Sequence, residues 1–460
     1  MTKPKKLYEG NMRRNYFFYA LPLILSALLA QSYSFINSIM IGKFIGSTAF
    51  AATAVSSQFT TAIESVFWGY LTGIGIYISV LFGQNERKRM LGIIKFNLLL
   101  SSLLALGISS FCVLFCDNIF ALLNVGSEVY SDAKLYFCTY ISGLILFQLS
   151  WGFTYIANAL GLTAMPLITS IITGILNIAG NYIFLVVLQK GIEYCALSTV
   201  IATTLSSVFY LIVFVRLFKA WGISHKGFLI TKNEIRHSCA FGFPTMFQQI
   251  AMYACGAVVA PLVNTCSTAA ISGYEIANKA KTLICEIYQN SSKANTTLVA
   301  QAMGAGRVDK LKQGIKTGIT QSLIIFGIVM TLFVVFAEDF SLLFLDPQKD
   351  SESIRVSVNI IRFFLPLITF NVFNNLFHGI FRAIGSGVLL LVSTLIYAIA
   401  FIAYAYIFFG SFPYDIKIYG IYAAMSAAYI TEVIFAVIIF ATGKWKTAEY
   451  KMLEEKSKTI

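Results

Sequence analysis

Charged residues are scarce in this chain of 460 residues. They make up 12% of the sequence, whereas hydrophobic residues make up 57% and the mean hydropathy is +0.75. A soluble domain is usually about a quarter charged, so this composition excludes a soluble fold. Apolar runs recur along the whole length, and they predict an all-α integral membrane protein with no soluble domain.

The residues that carry most enzymatic and metal chemistry are also rare. There are three histidines and eight cysteines, and the cysteines are scattered through apolar segments. Cys112 and Cys116 are four residues apart, but no histidine or carboxylate completes a metal-ligand set with them. We therefore expect no enzyme activity, no cofactor and no structural metal. The enzymatic alternative, an intramembrane acyltransferase built on His378 among Asn374 and Asn375, lacks an adjacent nucleophile.

Twelve apolar runs are long enough to cross about 30 Å of hydrocarbon as helices. Helices are required because unpaired backbone cannot face lipid, and because the runs lack the period-2 alternation of a β-barrel. The predicted spans are 15–41, 48–82, 92–115, 133–160, 165–189, 194–218, 238–264, 270–301, 313–337, 354–381, 386–410 and 418–442.

The basic residues are distributed unevenly between the two ends of these spans. With the N-terminus inside, 24 of the 34 lysines and arginines fall on the inner side, 6 fall on the outer side and 4 lie inside spans. Such a bias orients membrane proteins, so we predict a multi-pass membrane protein with both termini cytoplasmic. The formal net charge of +13 is thus mainly a topology signal, and we expect no nucleic-acid partner.

Two halves of the chain resemble each other. Pro22 and Pro244 are 222 residues apart, and Gly83 and Gly304, in similar basic loops, are 221 apart. The segment NALGLTAMP near 158 likewise matches RAIGSGVLL near 382. These spacings predict two six-helix repeats, which are parallel because six is even.

The repeats divide the chain into three predicted parts. They are an N-lobe over 1–220, a cytoplasmic linker over 221–236 and a C-lobe over 237–460. Substrate sites of transporters built in this way lie between the repeats, near the middle of the membrane.

The predicted eighth span carries five charges. On a helical wheel, all but Lys281 join one polar stripe about 100° wide. Its main members are Glu275, Lys279, Glu286, Asn290 and Lys293. Charges at this depth cost about 2.5–3.5 kcal/mol each, so they should face protein or water. The stripe either lines a polar cavity or holds the helix to its neighbours as a ladder of charges.

Other helices repeat the pattern without an excess of charge. The polar faces comprise Ser26, Tyr33 and Asn37 in the first span, Ser170, Gly174, Asn177 and Asn181 in the fifth, and Asn371, Asn374, Asn375, His378 and Arg382 in the tenth. They line a shared cavity or hold helices together through hydrogen bonds. Glu64 and Glu432 stand alone in apolar surroundings, where a glutamate is either a proton carrier or the partner of a group on another helix.

Several stretches resemble the MATE family, the multidrug and toxic compound extrusion transporters. They are LPLILSALLAQSYSFINSIMIGKFIGSTAFAATAVSS, LNIAGNYIFLVVLQKGIEYCALSTVIA, GYEIANKAKTL, LVAQAMGAGRVDKLKQGI and FRAIGSG. The resemblance implies a V-shaped pair of six-helix bundles. It also implies that a monomer is sufficient for transport. It also implies alternating access, with export of small amphipathic, cationic substrates in exchange for H⁺ or Na⁺. The resemblance is to bacterial members and implies a place in the bacterial plasma membrane, with membrane lipids as the other expected partners.

The resemblance extends to individual polar positions, with departures at the ion site. Family positions are matched by Gln31, Tyr33, Asn158 and Asn177. Asn37 and Asn181, however, stand where many family members have aspartates, and an amide cannot take up a proton.

The coupling function therefore has an alternative location. One hypothesis places it in the C-lobe, with Glu275 or Glu286 titrating beside Lys279 or Lys293, or with Na⁺ bound near Glu286 and Asn290. The lysines together with Arg382 also fit a related flippase for lipid-linked precursors. A MATE-like exporter with altered or lost ion coupling is the third alternative.

Overall fold

The computed structural model describes residues 4–122, 126–221, 231–413 and 416–446. These residues are almost entirely helical, and no strand occurs among them. Most of the predicted linker 221–236 and the end of the basic C-terminal tail lie outside the described residues.

Sixteen α-helices make up the described chain. They are α1 (Met12–Phe44), α2 (Ser47–Gly83), α3 (Arg87–Leu114), α4 (Cys116–Leu122), α5 (Ser127–Ser142), α6 (Leu144–Ala159), α7 (Ala164–Asn181), α8 (Glu193–Ala220), α9 (Lys232–Asn264), α10 (Thr268–Gly304), α11 (Val308–Val335), α12 (Ala337–Leu342), α13 (Ser351–Asn359), α14 (Thr369–Ala383), α15 (Gly387–Ser411) and α16 (Lys417–Ala441). A π-helical segment, Tyr182–Val187, continues α7, and the π segment Ile360–Phe364 with the 3₁₀ turn Leu365–Ile368 joins α13 to α14.

Helical segments lie at all twelve predicted spans. Ten of them in the described chain are long and apolar enough to cross a membrane, and α5 with α6, bent by 50° at Gly143, form an eleventh. The remaining position belongs to α10, whose 37 residues are ample in length. Its charges lower its hydropathy, which agrees with a polar stripe on an embedded helix.

The two halves repeat each other helix by helix. The first pair, α1 and α9, has 33 residues each, the second pair, α2 and α10, has 37, and the third pair, α3 and α11, has 28. A short helix then follows α3 and α11 alike. The turn after each second helix contains a left-handed residue, Asn85 with φ 62° and Gly306 with φ 68°. The prediction of a duplicated helical architecture is therefore confirmed.

The chain forms two compact units. Unit 1 contains Met1–Lys6 and Leu25–Met246, and unit 2 contains Leu7–Ile24 and Phe247–Ile460. The first half of α1 thus belongs to unit 2 and the first half of α9 to unit 1, whereas the predicted lobes kept each helix whole. The predicted boundaries at 220 and 237 stay a prediction.

One long helix forms the centre of each unit. In unit 1, α2 packs against α3, α5 and α6, and α8 closes the bundle against α5 and α6. In unit 2, α10 packs against α11, α13 and α14, and α15 pairs with α16. The central helices are therefore the elements whose polar faces meet several neighbours.

The first half of α9 is held tightly against α2. A β-carbon added at Gly73 would lie 2.1 Å from the carbonyl oxygen of Phe241, so only glycine permits this approach. Tyr77 stacks on Phe241 with ring centroids 5.1 Å apart. Backbone contact at one glycine thus fixes how α9 lies in unit 1.

The first half of α1 is bound into unit 2 through polar contacts. The Tyr16 hydroxyl donates to the Ser291 carbonyl oxygen (2.9 Å) and lies 2.8 Å from Ser322 Oγ. The backbone N–H of Leu7 donates to Gln301 Oε1 at 2.8 Å. Such bonds satisfy polar groups that would otherwise be buried without partners.

Candidate functional site

Asparagines from α1 and α7 meet in unit 1. Asn37 Nδ2 donates to Asn177 Oδ1, and Asn181 Nδ2 donates back to Asn37 Oδ1 at 2.8 Å. Asn177 also donates to Thr199 Oγ1 at 2.9 Å. We call Asn37, Asn177, Asn181 and Thr199 the amide cluster. The first and fifth predicted spans therefore do bring their polar faces together.

One oxygen atom of the amide cluster has no hydrogen-bond partner among the described residues. Asn181 is fully buried, and its Oδ1 accepts no hydrogen bond from the described residues. An amide oxygen can accept a hydrogen bond or bind a cation, but it is not protonated at physiological pH. The cluster can therefore orient a ligand, whereas a change of charge must come from another residue.

That residue is present in the same unit. The Glu64 carboxylate on α2 is buried and accepts a hydrogen bond from the Tyr140 hydroxyl at 2.7 Å. It also interacts electrostatically with Tyr33 and Tyr136. Burial of a carboxylate without a cation is costly, so this site favours uptake of a positive charge.

Several aromatic side chains lie near Glu64, and one of them, Tyr33, is also on the helix that carries Asn37. Tyr136 stacks on Tyr140 with centroids 6.0 Å apart, and Tyr140 contacts Phe147 at 4.6 Å. Tyr33 lies one turn before Asn37 on α1 and packs against Gly174 of α7, where a β-carbon would lie 3.2 Å from its ring. We call Glu64, Tyr33, Tyr136 and Tyr140 the Glu64 site.

The polar stripe of α10 is partly exposed along its length. Glu275 is exposed, Lys279, Glu286 and Lys293 are half-buried, and Asn290 is buried. Asn290 Nδ2 donates to Glu286 Oε2 at 3.1 Å, and Lys293 Nζ donates to Asn290 Oδ1 at 3.4 Å. Glu286 and Lys293 are thus joined through an amide, but both bonds lie within α10 and reach no neighbouring helix, so they favour neither the ladder nor the cavity.

These contacts bear on the hypothesis of a Na⁺ site. The oxygen of Asn290 faces the Lys293 ammonium, so a cation would have to displace that ammonium. Among the described residues, no group of three or more His, Cys, Asp or Glu is placed to hold a metal ion. Lys281, the residue off the stripe, lies over the Tyr422 ring, 5.6 Å from its centroid.

The asparagines of α14 are used in helix packing. Asn371 Nδ2 donates to the Tyr288 hydroxyl at 2.6 Å, and Asn374 Nδ2 donates to the carbonyl oxygen of Tyr429 at 3.2 Å. Asn375 donates back to the Asn371 carbonyl oxygen at 2.9 Å. Asn371 and Asn374 thus bond to α10 and α16, as in the interhelical-bond interpretation, whereas the bond of Asn375 stays within α14.

His378 and Glu432, from α14 and α16, form a buried pair in unit 2. His378 Nε2 lies 2.8 Å from Glu432 Oε1, and both side chains are less than a tenth exposed. Ser393 Oγ donates to the same carboxylate oxygen at 3.0 Å. Gln248 Nε2 lies 2.9 Å from His378 Nδ1, and Arg382 donates to Gln248 Oε1.

Two predicted site residues remain. Gln31 and Asn158 are half-buried on α1 and α6. Sequence reasoning missed Tyr140, Thr199, Gln248 and Ser393, because each has an ordinary apolar or small-polar neighbourhood in the sequence. Glu432 was noticed as an isolated acid, but its partner His378 is known only from helix packing.

The sequence matches one family model in both halves. The MatE model matches residues 22–183 and 244–407. The two matched segments begin at Pro22 and Pro244, the prolines that the repeat pairs. This is the duplication that the helix lengths and turns also display.

Curated proteins and solved structures give the same result. The multidrug export protein MepA of Staphylococcus haemolyticus is 23% identical over 82% of this chain and 83% of its own length. The probable multidrug resistance protein YpnP of Bacillus subtilis is 23% identical over 97% of this chain and 98% of its own.

The fold matches as well. A solved outward-facing multidrug resistance MATE family transporter of the MOP superfamily superposes with a TM-score of 0.89 at 17% identity, over 97% of this chain and all of that one. A MOP superfamily transporter from Pyrococcus furiosus superposes with a TM-score of 0.88 at 18% identity, over 96% and 99% of the two chains. The chain belongs to the MatE family of multi-pass membrane transporters, the MATE family that its sequence resembles.

Proposed function

We propose that this protein is an efflux antiporter that exports amphipathic organic cations in exchange for H⁺ or Na⁺ by alternating access. Family membership and the names of the curated relatives support export of drug-like compounds. The observation that carries the exchange is the buried Glu64 carboxylate, held by Tyr140 in aromatic surroundings.

The exchange follows from the cost of an uncompensated charge. A carboxylate out of water is stabilised by a proton, a metal cation or an organic cation. A single carboxylate binds only one of these cations at a time, so binding of the coupling ion displaces the substrate. Loading on one side of the membrane and release on the other then couples the two gradients.

The aromatic rings fit the same substrate class. Tyrosine faces attract cations within about 6 Å by roughly 0.5–2 kcal/mol, and apolar burial adds affinity without direction. Neither interaction depends on the detailed shape of the substrate. A site of this kind therefore accepts varied amphipathic cations.

The lysines of α10 favour a second candidate function. Lys279 and Lys293 are half-exposed on its stripe, where they can attract a lipid phosphate or another anionic amphiphile. Flipping of an anionic lipid is therefore the alternative.

Inside-out vesicles containing the protein separate these functions. A pH gradient and a sodium gradient are imposed in turn, and uptake of a fluorescent organic cation is followed, with protein-free vesicles as the control. Uptake that depends on either gradient supports antiport and identifies the ion. Absence of cation uptake, together with movement of a fluorescent anionic lipid, would replace the antiporter by the flippase.

A further inference from the structure

The buried network around His378 belongs to unit 2, whereas the Glu64 site belongs to unit 1. It connects four helices: Gln248 is on α9, His378 and Arg382 are on α14, Ser393 is on α15 and Glu432 is on α16. His378 Nε2 also lies 3.2 Å from Ser393 Oγ, a contact in which either group can donate. The direction of the other hydrogen bonds follows from Arg382, which can only donate. Those directions identify the protonation state that the network holds.

The chain of donors begins at Arg382. A guanidinium only donates, so its contact with Gln248 Oε1 uses the amide oxygen. The Gln248 amide nitrogen then faces His378 Nδ1 at 2.9 Å and donates to it. Nδ1 is therefore an acceptor, and the proton of the neutral imidazole lies on Nε2, 2.8 Å from Glu432 Oε1.

This arrangement leaves the Glu432 carboxylate without a full positive charge beside it. Ser393 donates a second hydrogen bond to it at 3.0 Å, but a neutral imidazole and a hydroxyl compensate a buried charge incompletely. The other titratable groups facing the carboxylate are Tyr397 and Tyr429, which carry no positive charge. Lys293 of α10 is directed to Asn290 instead.

We propose that His378 is a proton-binding site of unit 2, and that proton uptake there releases Arg382 from Gln248. A proton added to Nδ1 converts the imidazole to an imidazolium, which pairs with the Glu432 carboxylate. Nδ1 now donates, so Gln248 must turn its amide oxygen towards it. The amide nitrogen then faces Arg382, where two donors oppose each other, and that contact breaks.

The consequence is a proton-dependent contact between α9 and α14. Gln248 lies four residues after Pro244, which interrupts the hydrogen bonding of α9 because proline has no N–H. Release of Arg382 therefore frees α9 beside a weakened point of the helix. The proposal concerns unit 2 alone and holds whether or not Glu64 couples transport.

Nuclear magnetic resonance on the full-length protein in lipid nanodiscs tests this. The chain has three histidines, so the ¹⁵N-histidine signal lost in His378→Gln, or in His378→Asn if that variant does not fold, is assigned to His378. In the wild-type protein we expect the Nε2–H tautomer in alkaline samples and the imidazolium after acidification. The arginine signal lost in Arg382→Lys should move over the same range.

Two further variants make the test specific. Glu432→Gln should lose the imidazolium signal, because the compensating carboxylate is gone, and Gln248→Leu should leave the Arg382 signal independent of pH. A His378 that stays neutral throughout the acidic range in which the protein remains folded, or an Arg382 signal that does not change when His378 is protonated, would overturn the proposal. Glu64→Gln should leave the protonation of His378 unchanged. The proposed antiport and the proposed proton site can therefore fail independently of each other.

Discussion

Glu64 is the residue on which the proposed exchange depends. It is buried on α2 and bonded to Tyr140, whereas Asn37 and Asn181 supply only amides to the neighbouring cluster. Hydrogen bonds to a charged group contribute about 1.5–3 kcal/mol. Under the proposed function, Glu64 supplies the charge that these amides lack.

Glu64→Gln is therefore expected to reduce gradient-driven cation uptake to the level of protein-free vesicles. The amide keeps the shape of the side chain and its contact with Tyr140, but it cannot take up a charge. Glu286→Gln is the matched variant, because Glu286 is half-exposed and bonded to Asn290. Loss of coupling in Glu286→Gln with normal coupling in Glu64→Gln would move the coupling site to α10.

At the scale of helices, the backbone of α9 approaches α2 closely at Gly73. Gly73→Ala would place a methyl group 2.1 Å from the Phe241 carbonyl oxygen, which is backbone and cannot move aside cheaply. We expect destabilisation by about 1–3 kcal/mol or more, measured as a lower thermal unfolding midpoint in detergent. Gly107→Ala on α3 is the control, since its β-carbon would meet nothing within 4 Å, and it should be neutral or slightly stabilising.

The first turn of α9 is held by a capping box joined to an ion pair. Glu234 Oε2 accepts from the Thr231 N–H at 2.8 Å, and Arg89 Nε donates to Glu234 Oε1 at 3.1 Å. Glu234→Ala should cost about 1 kcal/mol and speed hydrogen exchange in this turn.

Asp117→Asn provides a comparison at an exposed ion pair. Hydrogen bonds from Lys134 and Tyr130 lower the pKa of Asp117 below its ordinary value, so its contribution to stability exists above the ordinary pKa and disappears as the pH falls through the lowered one. Because the group is fully exposed, solvent screens the pair. The unfolding midpoint at neutral pH should hardly change, and an effect larger than that of Glu234→Ala would contradict this account.

At the scale of the whole molecule, the distribution of basic residues predicts the orientation in the membrane. Lys88 and Lys349 are both exposed. Lys88 lies in a predicted cytoplasmic loop, and Lys349 lies in a predicted outer loop. All eight native cysteines are buried or half-buried, so their labelling background should be low. In intact cells, a membrane-impermeant maleimide should label Lys349→Cys but not Lys88→Cys, and permeabilisation should expose the latter. The reverse pattern would invert the topology.

The repeat is the feature of the molecule that the sequence predicted most completely. Paired prolines and turn motifs at spacings of 221 to 224 residues correspond to helices of equal length and to left-handed turns at Asn85 and Gly306. These features are local in the chain, because a turn or a helix end depends on a few consecutive residues. The exchange of the first halves of α1 and α9 between the two units was not predicted, since it depends on contacts such as Gly73 with Phe241.

The sequence by itself determined the membrane-embedded helical class, the duplication and the family, because hydropathy, helix length and motif spacing are properties of short segments. It also identified most of the polar residues of the clusters. Only the tertiary structure decided which of them meet: Glu64 with Tyr140, Asn37 with Asn177 and Asn181, and His378 with Glu432. The physical reason is that a side chain's partner depends on how helices distant in the chain are rotated and packed against each other.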